Sequence, residues 1–171
     1  RMDADDICFS DRLHNQVEFL KKHPEIGVVG GQVKKIDQDE KIIGEIRLQT
    51  DPALVKFDLC FGSALAHPAV MIRKELITLT GGYSNEMTFA QDYDLWRKLS
   101  KVTQMTNLVE YVIYYRVHEV NNSTAYLQVQ SSYARRTQEL ILSEYLDPVQ
   151  AHDFIKLSNI ANPSEKENEA K

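Results

Sequence analysis

The chain reads as an α/β protein with a mixed sheet flanked by helices, on three observations. Runs at 26–33, 42–48, 67–73 and 109–118 are rich in β-branched and aromatic residues, as strands are. Stretches at 10–22, 51–61, 74–79, 92–101 and 124–145 lie between or beyond them. Their apolar residues recur at helical spacing, with charge on the other faces. The length of 171 residues suits one domain with a real core and is short for two. With 43% hydrophobic and 26% charged residues, the composition is that of a globular chain.

Composition also excludes several functions. The net charge of -5 argues against a general nucleic-acid binder, which needs clustered Lys and Arg. The basic pairs Lys21-Lys22, Lys34-Lys35 and Arg135-Arg136 are scattered and read as solvated faces. Cys8 and Cys60 form no CxxC motif and fit a reducing compartment, hence a cytoplasmic protein. No apolar run is long enough to span a bilayer, and no stretch of these residues reads as a signal peptide. The chain opens on Arg1 rather than Met, from which we expect an excerpt whose natural beginning lies upstream.

In chain order, Asp3-Ala4-Asp5-Asp6 places three carboxylates within four residues. Such oxygen density suits Mg²⁺ or Mn²⁺. An EF-hand fails, because Cys8 and His14 occupy the positions of its required Gly and Glu. A phosphatase nucleophile would follow a buried strand, which Arg1-Met2 is too short to show. A solvated acidic turn capping the next helix is the remaining alternative. Ser10 can cap that helix, whose apolar stripe is Phe9, Leu13, Val17 and Leu20 and whose end is His23-Pro24. The glycines of the 26–33 run imply close approach by backbone or ligand, but no Lys-Ser/Thr follows to make a phosphate loop. Asp37-Gln38-Asp39-Glu40 reads as a hairpin turn, and Asp51-Pro52 opens the next helix. Pro68 should sit near the start of the 67–73 strand or at an edge.

The chain is organised around Gly81-Gly82-Tyr83-Ser84-Asn85-Glu86 and the helix that follows it. Asp92 precedes Leu95, Trp96 and Leu99 by three, four and seven residues, which puts it on the buried side of that helix at its first turn. Unpaired N–H groups and the helix dipole favour a carboxylate there. An inward acid beside a glycine loop can take a proton from a bound hydroxyl; the plain alternative is an N-cap. His118 falls where the 109–118 strand gives way to Asn121-Asn122-Ser123, as an ordinary polar residue or a metal ligand. The helix at 124–145 presents Leu127, Ala134, Ile141 and Tyr145 on one face, expected to pack on the domain; a short helix at 149–157 follows. The tail reads as disordered.

Four of these pieces, in this order, resemble the inverting GT-A glycosyltransferases of family 2. Arg1-Met2-Asp3-Ala4-Asp5-Asp6 is similar to the family's DxD signature. His67-Pro68-Ala69-Val70-Met71-Ile72-Arg73 resembles the strand before its acceptor loop. Gly81 to Glu86, running into Gln91-Asp92-Tyr93-Asp94-Leu95-Trp96, resembles its glycine turn and catalytic-acid helix. Tyr115-Arg116-Val117-His118, with Asn121-Asn122-Ser123, resembles its closing Arg-x-His segment. The resemblance covers about residues 1–123.

The resemblance implies a site. Asp3 and Asp5, with His118, would hold Mn²⁺ or Mg²⁺ on the diphosphate of a sugar nucleotide, a UDP-sugar first among candidates. Asp3 or Asp6 would also touch the ribose or donor sugar. Gly81, Gly82 and Glu86 would shape the pocket, and Asp92 would be the general base toward a glycan or lipid-linked acceptor. Gln91 stands where the family often has Glu. No Gln-x-x-Arg-Trp follows, which disfavours a processive polysaccharide synthase. The family's nucleotide-binding half would come before the DxD, so we expect a partial GT-A fold, weak or absent activity, and self-association through the exposed sheet edge. The expected layout is 1–123 catalytic portion, 124–160 helical extension and 161–171 tail, at work in polysaccharide biosynthesis in the cytoplasm or against the inner membrane face. Two rivals stand beside it. A non-catalytic glycan- or partner-binding module predicts metal independence, and a phosphohydrolase using Asp3 and Asp5 predicts phosphate release without an acceptor.

Overall fold

A computed structural model describes residues 1–118 and 123–161. One mixed sheet forms its centre. Strands β1 (Ile7–Cys8), β5 (Gln104–Arg116), β2 (Ile26–Ile36) and β3 (Ile42–Ile46) lie in that order, and β4 (Met71–Ile72) also pairs with β2. Only β2 and β5 run parallel; the other pairs are antiparallel. β4 pairs with β2 at Val28 and Val29, and β3 pairs farther along, from Val33 to Ile36.

Helices cover both faces, as side-chain alternation along a strand requires. Val28 joins the core built with Val55 of α2 (Pro52–Asp58) and its C-cap Leu59, Leu95, Trp96 and Leu99 of α4 (Gln91–Leu99), and Ile141 of α5 (Ser123–Leu142). Its neighbour Val29 points the other way, into a core with Val33, Val112, Ile113 and Leu20 of α1 (Arg12–Lys22). The short α3 (Lys74–Thr80) leads into the glycine turn, and α6 (Pro148–Ala161) closes on α5 through Leu142, Ala151 and Ile155. The C-terminal helix packs on the domain through Ala134 and Ile141, and Gln138 Nε2 donates to the Cys60 carbonyl at 2.7 Å, but it ends at Leu142 and leaves Tyr145, expected on the packing face, exposed. The side chain of Leu127, residues Asn121 and Asn122, and the tail from 162 lie outside the described residues. No helix among the described residues is long and apolar enough to cross a membrane.

Three expectations need correction. The buried face of α1 is Arg12, Gln16 and Leu20, while Leu13 is 63% exposed and Val17 37%. The polar residues turn inward because carbonyls there need donors. Second, the 67–73 strand shrinks to the two residues of β4 behind a 3-10 turn, His67–Ala69. The carbonyls of Pro68 and Ala69 are taken by Arg12 and Gln16 side chains. Third, the glycines of β2 admit the protein's own side chains. A Cβ on Gly30 would lie 2.2 Å from Asn107 Oδ1, and one on Gly31 2.5 Å from Val112. The hairpin turn holds as read, with Asp37 Oδ1 accepting from the backbone N–H of Asp39 and Lys41 at 2.9 Å each.

Candidate active site

The acidic turn lies against the far end of β5, and Arg116 fastens it there. Its Nε donates to the Asp5 carbonyl at 2.9 Å, and its Nη1 donates to the Asp37 and Gln38 carbonyls of the hairpin turn. Its Nη2 meets Glu40 at 3.2 Å, and its backbone N–H donates to Asp6 Oδ1 at 2.9 Å. One side chain therefore joins three segments distant in sequence. The three carboxylates behave differently as a result. Asp6 is buried, its second oxygen has no hydrogen-bond partner, and burial raises its pKa. Asp6 thus anchors the turn to β5 through the Arg116 backbone. Asp5 is exposed and meets His118 Nε2 at 2.7 Å, a hydrogen bond that lowers its pKa. Asp3 pairs with the Arg1 guanidinium at 2.6 Å.

Behind the turn lies a polar relay that sequence reasoning missed. Arg12, 3% exposed, donates through Nη2 to the carbonyls of Arg1 and Pro68, both at 2.9 Å, and through Nε to Gln16 at 3.2 Å. Gln16 Nε2 reaches the Ala69 carbonyl at 2.8 Å and that of Val29 at 3.1 Å. The relay ties α1, β2 and the 3-10 turn that carries His67 into one support. Burial lowers the Arg12 pKa, as desolvation of a cation must. The i, i+4 spacing of Arg12 and Gln16 was the available signal; it was hidden because the apolar Leu13 and Val17 drew the helix face toward themselves.

The other side of the site is the glycine turn and α4. Gly81 (φ 73°) caps α3 in the left-handed conformation and Gly82 (φ 62°) repeats it, a region a side chain would strain. Lys98 Nζ grips the Gly82 carbonyl at 3.0 Å, tying the turn to α4. Helix α4 is capped by Ala90, itself left-handed at φ 53°, so Asp92 is not the N-cap. Asp92 is half-buried. The deeply buried acid of this helix is Asp94, 2% exposed and held by Arg97 at 2.8 Å and Lys98 at 3.1 Å. Glu86 is 79% exposed and meets Arg136 at 3.6 Å.

Two aromatic residues link the sides. His67 Nε2 lies 2.7 Å from the Tyr83 hydroxyl, and its ring stands edge-on to Trp96, centroids 6.0 Å apart. Burial lowers the His67 pKa, while Asp92 and Asp3 both pull it upward. Among the described residues, no three His, Cys, Asp or Glu side chains converge as a metal cage. Asp5 and His118 are a pair, which fits an ion that keeps waters and takes its remaining ligands from substrate phosphates. Surface clefts of about 410, 510 and 540 Å³ lie elsewhere, none lined by Asp3, Asp5, Asp92 or His118.

An α/β sheet that carries an acidic turn and a helix opening on a carboxylate is compatible with a sugar-nucleotide enzyme, and the curated relatives are glycosyltransferases. The chain is 34% identical over 122 residues to an uncharacterised glycosyltransferase of Haemophilus influenzae, covering 68% of this chain and 43% of that protein. It is 30% identical over 127 residues to the O-antigen biosynthesis glycosyltransferase WbnJ of Escherichia coli, 72% of this chain and 48% of that one. A third relative, also 30% identical, over 101 residues, is the E. coli UDP-Gal:alpha-D-GlcNAc-diphosphoundecaprenol beta-1,3-galactosyltransferase, with 57% and 35% covered. The chain thus spans half or less of the length of these relatives. No family model matches it.

Proposed function

We propose that this chain supplies the acceptor and diphosphate side of an inverting, non-processive glycosyltransferase of the GT-A family 2 type. The observation that supports it most is the exposed Asp5–His118 pair, 2.7 Å apart and held by Arg116 on the acidic turn, in a chain whose helix α4 opens on the carboxylate of Asp92. In the reaction, Asp92 accepts the proton of the acceptor hydroxyl as its oxygen bonds to the anomeric carbon. The bond from that carbon to the diphosphate breaks, and the nucleoside diphosphate leaves with the electron pair. A single displacement inverts the centre. Mn²⁺ or Mg²⁺ on Asp5 and His118 would neutralise charge on the leaving diphosphate. Arg116 holds that pair in place, and Lys98, paired with Asp94 within α4, ties that helix to the Gly82 carbonyl.

A UDP-sugar donor and a glycan or lipid-linked acceptor follow from what the relatives' names say of them. The test is sugar transfer from a radiolabelled UDP-sugar to a polyprenyl-diphosphate sugar. Asp92→Asn should cut the rate by about 10²–10⁴ while leaving UDP binding intact. Transfer undiminished in that variant would remove Asp92 from the role.

A further inference from the structure

Tyr83 presents a puzzle of placement. It is 43% exposed, yet it is held from two directions. Its hydroxyl is fixed by His67 Nε2 at 2.7 Å, and its ring meets the His67 ring edge-on with centroids 5.8 Å apart. His67 in turn leans on Trp96, which is fully buried and lies one helical turn beyond Asp92 on the same face of α4. The backbone beneath Tyr83 is equally constrained, by the two left-handed glycines and by the grip of Lys98 on the Gly82 carbonyl. A solvent-facing phenol gains little from packing, so restraint of this extent points outward, to something that lands on the ring.

We propose that Tyr83, with His67 behind it, is the platform on which a pyranose ring of the acceptor stacks beside Asp92. This rests on the transferase reading. The negative face of an aromatic ring suits the C–H face of a sugar, and few but fixed polar groups set its orientation. His67 joins the platform to α4 through Trp96, and Asp92 stands one turn before Trp96 on the same face of that helix. A sugar lying on Tyr83 offers its rim hydroxyls to Asp92 on one side and to the Tyr83–His67 pair on the other. His67 is a positioning residue: it acts through the orientation of Tyr83.

The test is saturation-transfer NMR with methyl β-glucoside, methyl β-galactoside and methyl β-N-acetylglucosaminide as probes. At least one should bind the intact chain, Tyr83→Ala should lose about tenfold, and Tyr83→Phe, which keeps the ring but loses the bond to His67, should fall between the two. His67→Ala should weaken it and His67→Gln partly restore it, a rescue that a merely structural role would not show. Trp96 is the sole tryptophan and lies against His67, so its emission checks that each variant is folded. Absence of binding to the intact chain, or equal binding by Tyr83→Ala, overturns the proposal. Titration with UDP and Mn²⁺ tests the transferase reading separately: glycoside binding without UDP binding would sink that reading and leave the platform standing.

Discussion

Asp5 and His118 meet at 2.7 Å across 113 positions of sequence. The contact exists because Arg116, two residues before His118, reaches the backbone of the acidic turn and that of the β2–β3 turn together. Replacing Arg116 by Met should leave those three carbonyls without this donor and cost about 2–4 kcal/mol. Arg116→Lys restores charge but not the fork of donors, and should recover less than half. Urea unfolding of both variants checks this; an Arg116→Met protein as stable as the parent would show that the junction is held by other contacts.

The inward face of α1 makes a paired prediction. Gln16→Leu should cost about 2–3 kcal/mol, since the carbonyls of Val29 and Ala69 lose a buried donor. Leu13→Ala, at an exposed position, should stay within about 0.5 kcal/mol. An apolar-stripe view of this helix predicts the reverse order, so thermal unfolding of the two variants decides between them.

Asp92 and Asp94 should separate function from stability. Asp94→Asn removes the buried partner of Arg97 and Lys98 and should destabilise by about 3 kcal/mol. Asp92→Asn should leave the unfolding midpoint unchanged within error while removing transfer. Similar losses of stability in both would mean that Asp92 is a second anchor of α4.

His67 makes a pH prediction whose sign follows from burial. Its pKa is lowered in the folded chain, so between the folded and unfolded values the unfolded chain binds more protons and stability rises with pH. The contribution is complete above the ordinary histidine value of 6.5 and is lost as pH falls through the lowered one. His67→Gln should flatten this part of the stability–pH curve. An unchanged curve would place the titration elsewhere.

Much of this architecture was legible from residue pattern. The β-branched runs 26–33 and 109–118 marked the two central strands, and Asp51-Pro52 marked α2, whose Asp51 accepts from the N–H of Ala53 and Leu54. What pattern could not show was where polar side chains face. The apolar Leu13 and Val17 suggested one face for α1, but orphan carbonyls around Ala69 drew Arg12 and Gln16 inward. Asp92 was legible as an acid opening a helix, whereas the deeper burial of Asp94 depends on Arg97 and Lys98 folding back over it. Asp6 looked equivalent to its neighbours until the Arg116 backbone took one of its oxygens. The pairing of His67 with Tyr83 was invisible, because each residue reads alone as ordinary.

The central claim is that the acidic turn and His118 form a working diphosphate site. The most direct measurement is calorimetric binding of UDP, with and without Mn²⁺, to the intact chain and to Asp5→Ala. The account predicts binding that needs Mn²⁺ and falls at least about tenfold in Asp5→Ala. Binding that ignores both the metal and the substitution would contradict it.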